Sequence, residues 1–256
     1  MRVAFTIIYD GLHHLKHNGF TEFMLMNFDY WVVVEGHARA GGSTSWCRNL
    51  GLPQRSQDGT HEYLMQVAAS NPKLKYFSKG TYWNSKDQMV NKAIEIIKNL
   101  NTKCYLWQVD VDEQYSPCDL PKAEIALDKS GLIAGAFKFF HYLCPNNAGQ
   151  LVAKGEWGDG SNIRIWKWEG QNFISHEPPI IEGQTQVAEL PIKYHHYSYF
   201  FEKDVKFKDS YYGYPNLHRN WLKLKSYTGS FPAPINLLFG NNRKIPKKSF
   251  IEIHTQ

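Results

Sequence analysis

Apolar residues in the first 112 positions follow two different periods, and these periods alternate along the chain. Apolar and β-branched runs predict strands over 2–9, 30–34 and 105–109, and a short strand is predicted over 73–77. The fully apolar run 30–34 is typical of a strand covered on both faces. A helical period over 85–100 puts the apolar residues on one face, with Ser85 at the expected N-cap. Weaker helical patterns cover 61–69 and 10–28, the latter broken at Gly19. The alternation predicts a doubly wound α/β sheet.

The second half of the chain has a different pattern, rich in Trp and Tyr. Strands are predicted there over 132–143, 163–168 and 192–201, followed by a helical or irregular C-terminal piece. We therefore expect an α/β fold with a central, mostly parallel, Rossmann-like sheet flanked by helices. Antiparallel additions to that sheet are expected in the C-terminal half.

A long segment over 37–60 is rich in Gly, Ser, Arg and Asn and predicts a loop. Long loops inside compact domains are usually functional. Because it carries Arg39, Arg48 and Arg55, this loop is a candidate lid over an anionic ligand.

Polar residues stand where three of the predicted strands end. They are Tyr9 and Asp10, then Glu35, then the acidic stretch Asp110-Val111-Asp112-Glu113. Ligands of open α/β sheets bind at the carboxyl ends of strands. Strand alternation would put Asp110 and Asp112 on one face, where their mutual repulsion favours a hard divalent cation with oxygen ligands, Mn²⁺ or Mg²⁺. The alternative is a solvated acidic turn.

Composition limits the classes of partner. The chain has 256 residues, 43% of them hydrophobic, which suits one domain with a substantial core. The formal charge is +5 and the basic residues are mostly scattered, apart from a cluster over 243–248. This fits a protein that handles phosphorylated or anionic molecules and lacks the dense basic stripe of a duplex binder, so no nucleic-acid partner is expected.

The four cysteines, Cys47, Cys104, Cys118 and Cys144, do not have the spacing of a zinc site. We expect free thiols in a reducing compartment. The N-terminal apolar run is too short for a signal peptide, and no run reaches the ~20 residues of a membrane span. The expectation is a cytoplasmic protein, with peripheral membrane contact through the basic C-terminal cluster.

Several motifs occur in an order that resembles the GT-A fold glycosyltransferases, specifically the inverting, family 2-like enzymes. They are the D-x-D-E stretch at 110–113 after an apolar strand, Asn91-Lys92-Ala93, the segment from Arg164 to Trp168, His176-Glu177, and His196-Tyr197-Ser198-Tyr199 followed by lysines. The similarity covers about residues 2 to 210.

The resemblance implies a GT-A fold in one domain over 1–256. Residues 1–113 would form the nucleotide-sugar half, 114–215 the acceptor half and 216–256 a C-terminal extension. It also implies a metal-dependent hexosyltransferase that moves a sugar from a nucleotide diphosphate to an acceptor hydroxyl, with inversion. The acceptor would be a glycan, a lipid-linked molecule or a protein.

The resemblance also implies roles for particular residues. The implied metal ligands are Asp110, Asp112 and His196. The implied donor-binding residues are Tyr9, Asp10, Glu35, Asn91, Asp110, Lys206 and Lys208. A carboxylate can accept the imide N–H of uracil, so Glu35 favours a UDP-linked donor. Glu177 is the first candidate for the catalytic base and Asp159 the second.

Each residue also has a plainer interpretation. His196 would be a half-buried histidine of an aromatic strand, Lys206 and Lys208 a solvated face, and Asp159 a turn residue between glycines. Three other functions stay open: a metal-dependent phosphoryl-transfer enzyme or nuclease, a non-catalytic carbohydrate-binding protein, and an inactive relative of a transferase.

Overall fold

The computed structural model describes residues 1–100, 103–240 and 248–254. The chain divides into two compact units. Unit 1 comprises Met1–Val111, Ser116–Ala136 and Ile163–Pro191, and unit 2 comprises Asp112–Tyr115, Phe137–Asn162 and the described part of Ile192–Gln256.

The strands are β1 (Arg2–Ile8), β2 (Tyr30–Glu35), β3 (Leu74–Ser78), β4 (Cys104–Gln108), β5 (Glu113–Gln114), β6 (Ala134–Asn146), β7 (Gly149–Gly155), β8 (Ser161–Trp168), β9 (Phe173–Ser175), β10 (Ile180–Ile181), β11 (Ala188–His196), β12 (Ala233–Pro234) and β13 (Ser249–His254). The α-helices are α1 (Leu12–Leu15), α2 (Phe20–Asn27), α3 (Thr60–Ser70), α4 (Lys86–Lys98), α5 (Asp119–Ser130), α6 (Glu202–Tyr211), α7 (Leu217–Lys225) and α8 (Asn236–Phe239). Short 3-10 helices cover His17–Gly19 and Gly42–Thr44.

The sheet of unit 1 has the strand order β8-β4-β1-β2-β3. The pairs β4–β1, β1–β2 and β2–β3 are parallel, and β4–β8 is antiparallel. Helices cover both faces. On one face α4 packs against the core cluster that includes Phe5 and Val34, and on the other Phe20 of α2 meets Trp31 edge-on at 5.9 Å. The continuous apolar runs of β1, β2 and β4 follow from burial on both faces.

The N-terminus of α4 forms as its sequence predicts. Ser85 is the N-cap, and its side chain accepts a hydrogen bond from the backbone N–H of Gln88. The break predicted at Gly19 is also present, since Gly19 has φ +67, ends the 3-10 helix and is the N-cap of α2. Only glycine adopts this left-handed conformation without steric cost.

Unit 2 contains the antiparallel strands β12-β13-β7-β6 in this order, and β11 pairs with β5. Helices α6, α7 and α8 cover one face of these strands. Their contact is a buried cluster that includes Leu143 and Leu151 of the strands and Val205, Trp221 and Leu238 of the helices.

The α/β class is confirmed, with a mostly parallel sheet flanked by helices and antiparallel strands in the C-terminal half. Helix α5 is not among the predicted elements, and residues 197–201 are not part of a strand, because β11 ends at His196. Across the described ranges, no helix has the length and apolarity that a membrane span requires. Of the basic cluster over 243–248, residues 243–247 lie outside the described residues.

Candidate functional site

The carboxyl ends of β4, β1, β2 and β3 share one edge of unit 1, because these neighbours are parallel. Tyr9 and Asp10 follow β1, Glu35 is the last residue of β2, and Asp110 follows β4 by two positions. The sheet therefore brings these four predicted residues to the same edge, as expected for a ligand site.

Glu35 has a different environment from the one expected of a base-binding residue. Its side chain is fully buried, and its carboxylate accepts hydrogen bonds from the backbone N–H of Ser56 (2.7 Å) and from the hydroxyls of Ser78 (2.7 Å) and Tyr76 (3.4 Å). His61 lies 3.8 Å from the same group. Since protein donors already occupy both oxygens, Glu35 anchors the loop that contains Ser56 and does not face an exposed ligand.

Asp10 and Tyr9 bind the same loop. The backbone N–H of Asp10 donates to Ser56 Oγ (2.9 Å), and Asp10 Oδ1 accepts from the N–H of Gln57 (2.7 Å). The Tyr9 hydroxyl donates to the carbonyl of Pro53 (3.0 Å). Burial, with Asp10 and Glu35 nearby, raises the pKa of Tyr9, so its hydroxyl stays protonated as a donor. The loop over 53–57 is thus fixed at the ends of β1 and β2.

A row of rings continues from Tyr9 along this edge. The Tyr9 and His37 rings lie 5.0 Å apart, His37 and Tyr82 lie 6.0 Å apart, and the Arg39 guanidinium lies 4.9 Å from the Tyr82 ring. Burial lowers the pKa of His37, which keeps it neutral at pH 7. The rings are tilted by 57° and 75° to one another, so they pack edge to face and hold this edge together, with one cation beside Tyr82.

Asp110 is paired inside unit 1. Its Oδ2 accepts from Arg164 Nη2 at 3.0 Å, and the Arg164 side chain is only 8% exposed. The predicted alternation of Asp110 and Asp112 along one strand is wrong, because β4 ends at Gln108 and Asp112 lies in a turn. The guanidinium of Arg164 offsets the negative charge of Asp110. The repulsion between the carboxylates of the acidic stretch therefore does not by itself require a cation at Asp110.

Asp112 lies in unit 2, where backbone pairing places it beside β11. Its carbonyl accepts from the N–H of Tyr197 (2.7 Å), and the next residue, Glu113, pairs with His196 across β5 and β11. Asp112 Oδ2 lies 3.5 Å from His196 Nε2 and 3.8 Å from Lys208 Nζ. The three side chains are 18%, 16% and 15% exposed. Three of the predicted site residues therefore form one cluster.

Two further residues hold this cluster. His141 Nε2 is hydrogen-bonded to Ser198 Oγ, and the Ser198 carbonyl accepts from Lys208 Nζ. Burial, together with His196 and Lys208, holds the pKa of His141 well below its usual value, so this ring is neutral. Neither His141 nor Ser198 is predicted as a site residue. Ser198 lies within the His196-Tyr197-Ser198-Tyr199 motif, but its partner His141 lies 57 positions away, where no local motif marks it.

The Asp112 cluster has two donor atoms whose separation would suit one divalent cation. Ligand atoms of Mn²⁺- or Mg²⁺-type ions lie about 2.0–2.2 Å from the metal, so Asp112 Oδ2 and His196 Nε2, 3.5 Å apart, can share one ion. Among the described residues, no third His, Cys, Asp or Glu forms a three-ligand group with them. Magnesium-type ions commonly take few protein ligands and complete their shell with water and substrate phosphates.

Glu177 is exposed in the turn between β9 and β10 of unit 1. Its backbone N–H donates to Ser43 Oγ at 3.3 Å. The Asp87 carboxylate fixes both sides of this contact: it accepts from the N–H (2.8 Å) and Oγ (2.6 Å) of Ser43 and from the N–H of His176 (2.8 Å). The candidate base is therefore on a turn that is tied to the predicted lid loop.

Electrostatics in this region keep one carboxyl charged and one imidazole neutral. Burial alone would raise the pKa of Asp87, but the hydrogen bonds from Ser43 and His176 outweigh it and lower the pKa. Burial, with Lys86 and Arg164 nearby, lowers the pKa of His176 to about 4. Asp87 therefore stays an anionic acceptor at neutral pH, while His176 carries no charge.

Asn91 is hydrogen-bonded to the backbone of β9, and its role in nucleotide binding stays a prediction. Its side-chain amide donates to the Phe173 carbonyl (3.1 Å) and accepts from the Phe173 N–H (3.2 Å). It fixes β9 against α4.

Lys206 and Asp159 make contacts within their own helix and turn. Lys206 is 57% exposed and pairs with Glu202 one helical turn away at 2.8 Å. Asp159 Oδ2 accepts from the N–H of Gly155 (2.8 Å) and closes the turn between β7 and β8. The turn interpretation of Asp159 and the solvated-face interpretation of Lys206 describe these contacts, whereas Lys208 belongs to the Asp112 cluster.

Of three comparisons with known proteins, the one with solved structures gives matches. The sequence matches no protein-family model, and no curated protein matches it. Solved structures of S. aureus TarS 1-349 match this structure, alone and in complexes with UDP-GlcNAc and with UDP. Their TM-scores are 0.36, 0.34 and 0.32, at 15%, 15% and 14% identity. The matches cover 62%, 57% and 57% of this chain and 37%, 35% and 37% of the TarS chains. This chain thus spans little more than a third of those structures, and TM-scores below 0.5 carry no argument about its function.

Proposed function

We propose that this chain is a metal-assisted glycosyltransferase that moves a sugar from a UDP-linked donor to an acceptor hydroxyl with inversion. One observation carries the proposal: a carboxylate, an imidazole and an ammonium group converge in unit 2, with Asp112 Oδ2 3.5 Å from His196 Nε2 and 3.8 Å from Lys208 Nζ. An anion–imidazole pair beside a lysine suits a diphosphate that arrives with a divalent cation.

Asp112 and His196 are the proposed holders of Mn²⁺ or Mg²⁺, while Asp110, paired with Arg164, stays a predicted ligand. When bound, the ion supplies Lewis-acid stabilisation of the leaving diphosphate. Lys208 contributes a second positive charge, and the 15% exposure of its side chain limits screening by water.

Glu177 is the proposed general base. It would take the proton of the acceptor hydroxyl as that oxygen bonds to the anomeric carbon. The bond from the anomeric carbon to the diphosphate oxygen breaks, and its electron pair leaves with UDP. The exposure of Glu177 gives an acceptor access to it, and its backbone contact with Ser43 fixes the turn. NMR of the product from an α-linked donor tests inversion: a product of α configuration would rule it out.

The lysine pair Lys206 and Lys208 offers a matched test. Both lie on α6, but only Lys208 approaches Asp112, whereas Lys206 pairs with Glu202 on the surface. Lys208→Met should weaken binding of UDP with Mn²⁺ by about 10–100-fold, because one charge-assisted contact contributes about 1.5–3 kcal/mol. Lys206→Met should change it less than about twofold.

Calorimetric titration of UDP with and without Mn²⁺, and UDP release from a panel of UDP-sugars, provide the measurements. Equal effects of the two substitutions, or UDP binding that does not depend on the metal, would contradict the assignment of the cluster. Cleavage of nucleic acid in place of UDP release would favour the phosphoryl-transfer alternative.

A further inference from the structure

His196, His141 and Trp157 form a column of three stacked rings in unit 2. The His196 and His141 rings are nearly parallel, at 9° and 5.1 Å, and His141 lies on Trp157 at 26° and 4.2 Å. Trp157 is fixed in turn, because its backbone N–H donates to Ser249 Oγ (3.0 Å) and its ring lies 4.7 Å from the Phe239 ring. The plane of the His196 ring is therefore set by the ring behind it.

His141 is also connected to Lys208, through Ser198. His141 Nε2 is bonded to Ser198 Oγ, and the Ser198 carbonyl accepts from Lys208 Nζ. The Lys208 ammonium additionally lies 4.8 Å from the Tyr199 ring, which fixes its direction. His141 is thus connected to both groups that approach Asp112, by stacking to His196 and by a hydrogen bond toward Lys208.

Core packing alone does not account for a histidine at this position. His141 is only 6% exposed, and within the described part of the chain its Nδ1 is buried with no hydrogen-bond partner. A buried polar atom without a partner costs free energy, and phenylalanine would fill the column without that cost. What phenylalanine would lack is the bond to Ser198, so this bond is the feature that the imidazole adds.

We propose that His141 is a positioning residue that fixes the ring of His196 and, through Ser198, the ammonium of Lys208, so that both face the Asp112 carboxylate. The inference rests on the proposed function for its consequence, which is binding of a nucleoside diphosphate with a divalent cation. In this role His141 acts only through His196 and Lys208.

The test uses His141→Phe, Ser198→Ala and the double variant, with Tyr142→Phe as control. Tyr142 is the next residue of β6, and its hydroxyl bonds to His195 and not to the Asp112 cluster. Calorimetry with UDP and Mn²⁺ should show about tenfold weaker binding for His141→Phe and about threefold for Ser198→Ala. The double variant should be no weaker than His141→Phe, because both single changes remove the same hydrogen bond. The control should bind like the wild type.

A second measurement does not depend on UDP. Long-range ¹H–¹⁵N spectra of the imidazole groups, recorded without ligand, should show changed His196 signals in His141→Phe and Ser198→Ala but not in Tyr142→Phe. Unchanged His196 signals, or losses in affinity that add in the double variant, would overturn the proposal. A wild-type protein that binds no UDP would refute the proposed function, and the imidazole spectra would still decide the role of His141.

Discussion

Asp87 connects the predicted lid loop to the turn that carries Glu177, and its removal has consequences that the structure allows to be estimated. The carboxylate accepts from the N–H and Oγ of Ser43 and from the N–H of His176. A hydrogen bond to a charged group contributes about 1.5–3 kcal/mol when it cannot be replaced by water. Because Asp87 is half-buried, water replaces part of the loss. We expect Asp87→Ala to lower the free energy of unfolding by about 2–4 kcal/mol.

The same contacts predict a pH dependence. The hydrogen bonds hold the pKa of Asp87 in the folded protein below its usual value despite burial. Such a group stabilises the fold fully above its unfolded pKa of about 3.9, and the contribution is lost as pH falls through the folded pKa. The difference in stability between the wild type and Asp87→Asn should therefore shrink as pH is lowered from 7 to below about 4.

Urea unfolding at a series of pH values measures both effects. Asp119→Asn serves as the control, because Asp119 pairs with Lys122 on the surface of α5, where such pairs contribute little. A loss below about 0.5 kcal/mol for Asp87→Ala, or a difference from Asp87→Asn that stays constant with pH, would refute the reasoning.

Three other substitutions have defined outcomes. Glu177→Gln should lower kcat about 10²–10⁴-fold while UDP affinity stays within about twofold, and an unchanged kcat would remove Glu177 as the base. Asn91→Ala should lower stability by about 1–3 kcal/mol in urea unfolding, since two backbone groups of Phe173 lose their partner, and should leave UDP affinity unchanged. Gly42→Ala should lower stability by about 1–2 kcal/mol, because φ there is +56 and the added Cβ would meet the Asp87 carboxylate; a neutral result would show that this turn can relax.

The parallel half of the fold is predictable because its signals are local. The apolar runs of β1, β2 and β4 and the N-cap Ser85 each fall within a few residues, so the period and the cap specify the elements. Helix α5 is not predicted from the sequence. Its buried residues Leu120, Ala123 and Leu127 lie on one face, but this apolar face is narrow and gives a weaker helical pattern than that of α4.

The site is less predictable because its contacts join distant segments. Arg164 meets Asp110 from 54 positions away, and His141 meets Ser198 from 57 positions away. Glu35 stands at the predicted strand end, yet the loop around Ser56 returns over it and buries its carboxylate. A polar residue at a strand end can face a ligand or hold a loop. Which of the two it does depends on the path of the loop around Ser56, and the local sequence does not specify that path.

The register between β5 and β11 decides which of two adjacent histidines lies beside the Asp112 carboxylate. His196 is opposite Glu113, and His195, opposite Gln114, projects from the other side of the sheet toward the Tyr142 hydroxyl. A slip of one residue would exchange the two imidazoles. Inserting or deleting a single residue in β11 should therefore turn His196 to the opposite face of the sheet, away from both the Asp112 carboxylate and the His141 ring that stacks on it.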